Sequence, residues 1–177
     1  FHGNISIEDN SLSYDNDFYL SISKPEKANV IAIGNSEKNN FLSRIFTADE
    51  FNFKSTELAT LDYNQIENQD AIVLNELEDL PVALGTTLKS FYEKGGNIIL
   101  IPNSKNTPSQ LNAFAKNFGG FNYSELSTSG KQITKINFNH PLYQTVFEKK
   151  VTNFQYPNVK ESFTLSGITN ILQYEDN

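Results

Sequence analysis

Glu76, Glu78 and Asp79 stand almost side by side in the segment NELEDLP, residues 75–81. Carboxylates at this density suit a hard cation such as Mg²⁺ or Ca²⁺, which is held by oxygen ligands. The bland alternative is a solvated loop running into a helix, where Asp79 is favourable beside the positive end of the helix dipole. Two further segments hold polar groups at the ends of apolar runs: Asn35 and Ser36 in GNSEKNN, and Ser104 with Lys105 in PNSKN. A serine hydrolase would need Ser104 to be worked by a base, and His140 in INFNHPLYQTVF is the one histidine placed inside the chain. Ser104 lacks the GxSxG elbow that exposes such a nucleophile on a sharp turn. His140 also has a structural reading. Asn139 caps a helix, His140 and Pro141 fill its first positions, Phe138 staples onto Tyr143, and Leu142, Val146 and Phe147 form a buried stripe.

Composition narrows the chemistry. The 177 residues include no cysteine, which removes disulfides, thiolate zinc sites and cysteine nucleophiles together. The second histidine, His2, lies at the start of the chain, so a two-histidine metal site is not expected. Net charge is -7 and the basic residues are scattered, which argues against a surface that tracks nucleic-acid phosphates. Neither GxGxxG nor GxxxxGK[ST] occurs, so no dinucleotide, nucleoside triphosphate or other cofactor is indicated. No apolar run reaches the roughly 18 residues that span a bilayer. The chain begins without methionine and closes on the strand-like ITNILQYEDN, and it reads as part of a longer polypeptide whose domain continues past Asn177.

These side chains must be positioned by regular elements, and the hydrophobic pattern supplies them. ANVIAIGN (28–35), DAIVLNEL (70–77) and NIILIPN (97–103) are continuous apolar runs, as expected of strands buried on both faces. FNFKSTEL (51–58) makes a further strand, and DYNQIEN at most a short helix. Between them, SEKNNFLSRIF sets Phe41, Leu42 and Ile45 on a helical stripe with Asn35 or Ser36 as cap. LPVALGTTLKSFYEKGG aligns Leu84, Leu88, Phe91 and Tyr92, and TPSQLNAFAKNFGG opens with a capping box from Thr107 to Gln110. Strict alternation of strand and helix predicts a doubly wound α/β fold with a mainly parallel sheet. Residues 1–24 differ, since Ile5 and Ile7, then Phe18, Leu20 and Ile22, alternate with polar neighbours as in a pair of antiparallel strands. Such a pair is marginal alone and is expected to pack on the α/β body. In a doubly wound sheet the functional crevice lies at the carboxyl ends of the strands, where Asn35, Ser36, Glu76 and Ser104 fall.

The step LKSFYEKGGNIILIPNS (88–104) resembles the helix, Gly-Gly and strand of class I glutamine amidotransferase-like domains, a superfamily that includes ThuA-like proteins. That resemblance implies a flavodoxin-like topology over residues 25–177. It carries no activity, because the family's nucleophile is a cysteine and this chain has none. A receiver domain shares the alternation, but its first strand should end in paired acids, whereas this one ends Gly34, Asn35, Ser36. From ISIEDNSLSYDNDFYLSISKPEKANVIAIGN to NFNHPLYQTVFEKKVTNFQYP, the chain is similar to the periplasmic part of BatA-type, aerotolerance-regulator-like bacterial membrane proteins. The likeness implies that residues 1–24 end a preceding β-domain. It also implies a location on the periplasmic side of a bacterial membrane, anchored by segments outside these residues. Partners would be other envelope proteins or other domains of the same polypeptide. Three readings follow: a noncatalytic interaction or scaffold domain, a sensor of a small ligand or divalent cation in the crevice, and a serine hydrolase through Ser104 and His140.

Overall fold

The computed structural model describes residues 2–8, 16–22, 26–143, 146 and 155–175. The chain opens with a hairpin of β1 (His2–Ser6) and β2 (Asp17–Ser21), whose register sets Ile5 opposite Phe18 and Gly3 opposite Leu20. Then come β3 (Ala28–Gly34), α1 (Ser36–Leu42) and β4 (Phe51–Thr56). Two 3₁₀ turns, Leu58–Thr60 and Tyr63–Asn68, lead to β5 (Ala71–Asn75), α2 (Val82–Glu93), β6 (Asn97–Ile101) and α3 (Pro108–Ala115).

The four strands β3 to β6 form one parallel sheet in the order β4-β3-β5-β6. Burial explains why β3 and β5 are central. Val30, Ile31, Ala32, Ile33, Ile72, Val73 and Leu74 are all within about 1% of complete burial, which only strands covered on both faces achieve. Alternation then divides the core in two. Ile31, Ile33, Ile72 and Leu74 face Leu84, Leu88 and Phe91 of α2 and Ile66 of the second 3₁₀ turn. Val30, Ala32 and Val73 face the other way, under Leu42, Phe46, Phe51 and Phe53. Each such aliphatic side chain contributes roughly 1.5–3 kcal/mol of transfer free energy.

Local chemistry fixes the helix ends. Asn35 caps α1 by accepting from the Glu37 and Lys38 amides. Thr107 and Gln110 close a reciprocal capping box at α3, with Pro108 at its first position. Helix α2 stops where Gly95 turns to φ +95° and the amides of Gly96 and Gly95 reach back to the Phe91 and Tyr92 carbonyls. One expectation fails at α1. Phe41 and Ile45 are each 67% exposed, and the buried residue of this helix is the polar Asn39. The face turned to the sheet carries Asn39, Leu42 and Phe46, three and four residues apart, so Phe41 and Ile45, also four apart, fall together on the solvent side.

The remaining described strands are antiparallel and separate from the parallel sheet. β7 (Asn122–Ser127) pairs with β10 (Ser162–Ser166), and β8 (Lys131–Ile136) lies between β9 (Asn158–Val159) and β11 (Leu172–Tyr174). Alternation of strand and helix therefore holds only through α3. Helix α3 joins this part to the body, since Leu111 and Ala115 are buried with Tyr123, and Asn112 exchanges two hydrogen bonds with the Tyr123 backbone. The amino-terminal hairpin behaves differently from its expected role. Ile5 is 56% and Phe18 64% exposed, so its apolar face is not packed into the α/β body.

Candidate functional site

The order β4-β3-β5-β6 reverses direction between β3 and β5, where the crossovers leave to opposite faces of the sheet. A crevice opens at that point, outside the carboxyl ends of the strands. It is a recess of about 340 Å³ lined by Gly34, Asn35, Lys38, Glu57, Glu76, Glu78 and Asn103, among others. Gly34 is required at its floor, because a β-carbon there would run into the Asn75 carbonyl oxygen. Glu76 follows β5 with φ +50°, the one described residue other than glycine in the left-handed region. Its amide donates to the Ile101 carbonyl, which extends the sheet's ladder by one bond and turns the chain out of the strand.

The crevice is framed by four buried asparagines that the sequence reading passed over. The Asn39 amide nitrogen donates to the carbonyls of Ala32 and Gly34 and, at 2.9 Å, to Ser55 Oγ. Asn39 Oδ1 accepts from Asn75 Nδ2 at 2.9 Å, so one side chain of α1 ties together β3, β4 and β5. Asn103 Nδ2 donates to the Glu76 carbonyl at 2.8 Å, and Asn106 Nδ2 donates to the carbonyls of Leu77 and Glu78. Asn103 and Asn106 are themselves joined through the Asn103 amide. Buried amides so fully bonded rigidify the loops they connect. Two of the four carry a signal, Asn75 and Asn103 standing at or just past the end of an apolar run in LN and PN, whereas Asn39 and Asn106 have none.

Two of the three carboxylates lining the recess are paired with lysines, and Glu57 has no ion-pair partner among the described residues. Lys38 bonds Glu76, and Lys105 Nζ meets Glu78 Oε1 at 2.6 Å. Both pairs are partly or largely exposed, so each contributes little to stability.

No family model, curated protein or solved structure matches the chain.

Of the residues singled out in the sequence, Asn35, Glu76 and Glu78 meet in the recess. Ser36 is the exposed first residue of α1. Asp79 lines a different groove, between α2 and α3. Ser104 sits in a turn beside β6 and lines a different cavity, shared with β7 and β10, which Glu76 also lines. Glu76, Glu78 and Asp79 therefore do not converge, and among the described residues no three metal-ligating side chains of the carboxylate, imidazole or thiol type do.

His140 is held by a local bond. Its Nδ1 accepts from the Leu142 amide at 3.3 Å, and its carbonyl accepts from Tyr143 at the end of a 3₁₀ turn, Pro141–Tyr143. His140, not Asn139, is thus the side chain that caps this turn. Leu142 and Val146 are 64% and 61% exposed, so the expected buried stripe is absent from the described residues, and Phe147 lies outside them. His140 does not line the cavity that Ser104 lines.

Proposed function

We propose that this chain is a noncatalytic interaction domain of a bacterial cell-envelope protein, with a doubly wound, flavodoxin-like core of the class I glutamine amidotransferase-like type. The carrying observation is the crevice itself. Its buried polar groups, Asn39, Asn75, Asn103 and Asn106, are spent on one another and on the backbone, and its carboxylates Glu76 and Glu78 on lysines. A reaction centre instead holds a nucleophile and base aimed at a shared point. The core topology is supported by the strand order, which with β3 as the first strand reads 2-1-3-4. The BatA-type resemblance supplies the envelope setting, the periplasmic side and the anchorage by segments elsewhere in the polypeptide. Partners are then other envelope proteins or neighbouring domains.

Chemical cross-linking through surface lysines of the membrane-anchored protein in cells tests this reading. It should yield discrete, saturable adducts with another envelope protein; a pattern of self-adducts alone, or phosphonate labelling of Ser104 with turnover of an ester, would replace it. A second reading, a small polar ligand in the crevice, is favoured by Glu76, whose left-handed backbone at the switch point is of the kind found where loops grip ligands. Calorimetric titration with Mg²⁺ or Ca²⁺ separates the cation form of that reading, which requires saturable heat that Glu76→Gln removes.

A further inference from the structure

Among the described residues the outer edge of β6 is unpaired, in a way that specifies what would pair with it. On the inner side, the Asn97 amide donates to the Asp70 carbonyl, and the Ile101 carbonyl accepts from Glu76. Parallel ladders repeat every two residues, so Asn97, Ile99 and Ile101 bond toward β5 while the amide groups of Ile98 and Leu100 point away from it. Among the described residues no strand lies on that side and no backbone or side-chain group bonds to them. Both residues are half-buried, and backbone polar groups in such surroundings are ordinarily partnered.

The space beside this edge has the form of a groove. Two cavities of about 430 and 440 Å³ flank β6, one toward Gly96 and one toward Ser104, and they share Leu100 and Tyr123. Their other lining comes from the β7–β10 sheet and the residues flanking it, with Phe121 and Ile168 beside the sheet at one end and Phe163 and Leu165 of β10 at the other. At the Ser104 end Glu161 lines the groove with no ion-pair partner among the described residues.

We propose that this groove receives an extended peptide strand from a partner polypeptide, hydrogen-bonded to Ile98 and Leu100, apolar at alternate positions and basic at the end beside Glu161. It rests on the interaction reading and gives it a surface. Strand addition suits the site because main-chain bonds supply affinity while alternate side chains enter pockets. A free edge flanked by apolar walls is otherwise a liability for nonspecific pairing.

The test uses the blocked heptapeptide KVTVTVK, the same peptide N-methylated at alternate amides, and the isomer KVVVTTK. Binding of the first should be saturable and should shift the Ile98 and Leu100 amide resonances, with at least about tenfold weaker binding of the other two. Leu165→Trp, which fills the groove from a partly exposed position, should weaken binding about tenfold at unchanged melting temperature. Glu161→Lys should reverse the preference in favour of a glutamate-ended peptide. Equal binding of the methylated peptide, shifts confined to other residues, or no saturable binding would overturn the proposal. So would a longer natural chain whose own residues bond Ile98 and Leu100. Each of these outcomes leaves cellular cross-links to an envelope partner intact, so failure here is distinguishable from failure of the interaction reading.

Discussion

The parallel sheet and the amino-terminal hairpin are both made of short strands with aliphatic residues, yet they are stabilised by different means. In β3 every residue from Val30 to Gly34 is buried and both edges are paired. In β1 and β2 none is fully buried, and order comes from five facing residue pairs and from polar bonds such as Ser6 Oγ to Asp17. A two-stranded ribbon of that kind is marginal without a covering surface. The contrast teaches that strand formation and core formation are separate events in this chain, and substitutions in the two regions should separate them further.

The largest effect is expected in the sheet. Leu74→Ala should cost about 2–5 kcal/mol in chemical denaturation, through lost transfer energy and the cavity left behind. Phe18→Ala in the hairpin should cost less than about 0.5 kcal/mol; a cost comparable to that of Leu74→Ala would show the hairpin face to be covered after all. Next comes Asn39→Ala. It strips Ala32, Gly34 and Ser55 of a donor and leaves the Asn75 amide unpartnered, at an expected cost of about 2–3 kcal/mol by the same measurement.

Legibility in the sequence follows the same division. β3, β5 and β6 were readable because uninterrupted apolar runs are what a strand covered on both faces requires, and the Thr107 box marked the start of α3 to the residue, though the helix ends at Ala115, before the Gly119–Gly120 stop. Helix α1 misled because the spacing of Phe41 and Ile45 is real but faces solvent, while the inward face begins at a polar residue, Asn39. Asn39 matters more there because it can bridge three strands. Beyond Phe118 the pattern gives strands but not partners, since pairing between β7 and β10, about 40 residues apart, leaves no local period to read. The site was half legible. Strand ends located Asn35 and Glu76, whereas the asparagine frame carries no charge and matches no motif.

Smaller effects sharpen the comparison at single residues. Glu76 sits at φ +50°, so Glu76→Gly should be more stable than Glu76→Ala by about 1 kcal/mol, a difference that thermal melts of the pair would reveal. At the 3₁₀ turn His140→Ala should cost about 0.5 kcal/mol as a lost cap, and Asn139→Ala close to nothing. The reverse ranking would return the cap to Asn139. Least in neutral solution is Tyr123, whose phenol burial pushes above its ordinary 10.0. The folded state then keeps a proton that the unfolded chain releases, so stability falls as pH rises past about 10. Melting temperatures at about pH 9 and about pH 11 should diverge more for the wild type than for Tyr123→Phe.

The order β4-β3-β5-β6 also has a consequence for how the molecule is made. β3 is synthesised before both of its neighbours, β4 joins it across a single helix, and β5 joins its other side, so each new strand meets an edge already waiting for it. The pairing from β3 to β6 needs no segment that emerges later from the ribosome. Assembly of the sheet can therefore keep pace with translation, strand by strand, while pairing between β7 and β10 waits for some 40 further residues to arrive.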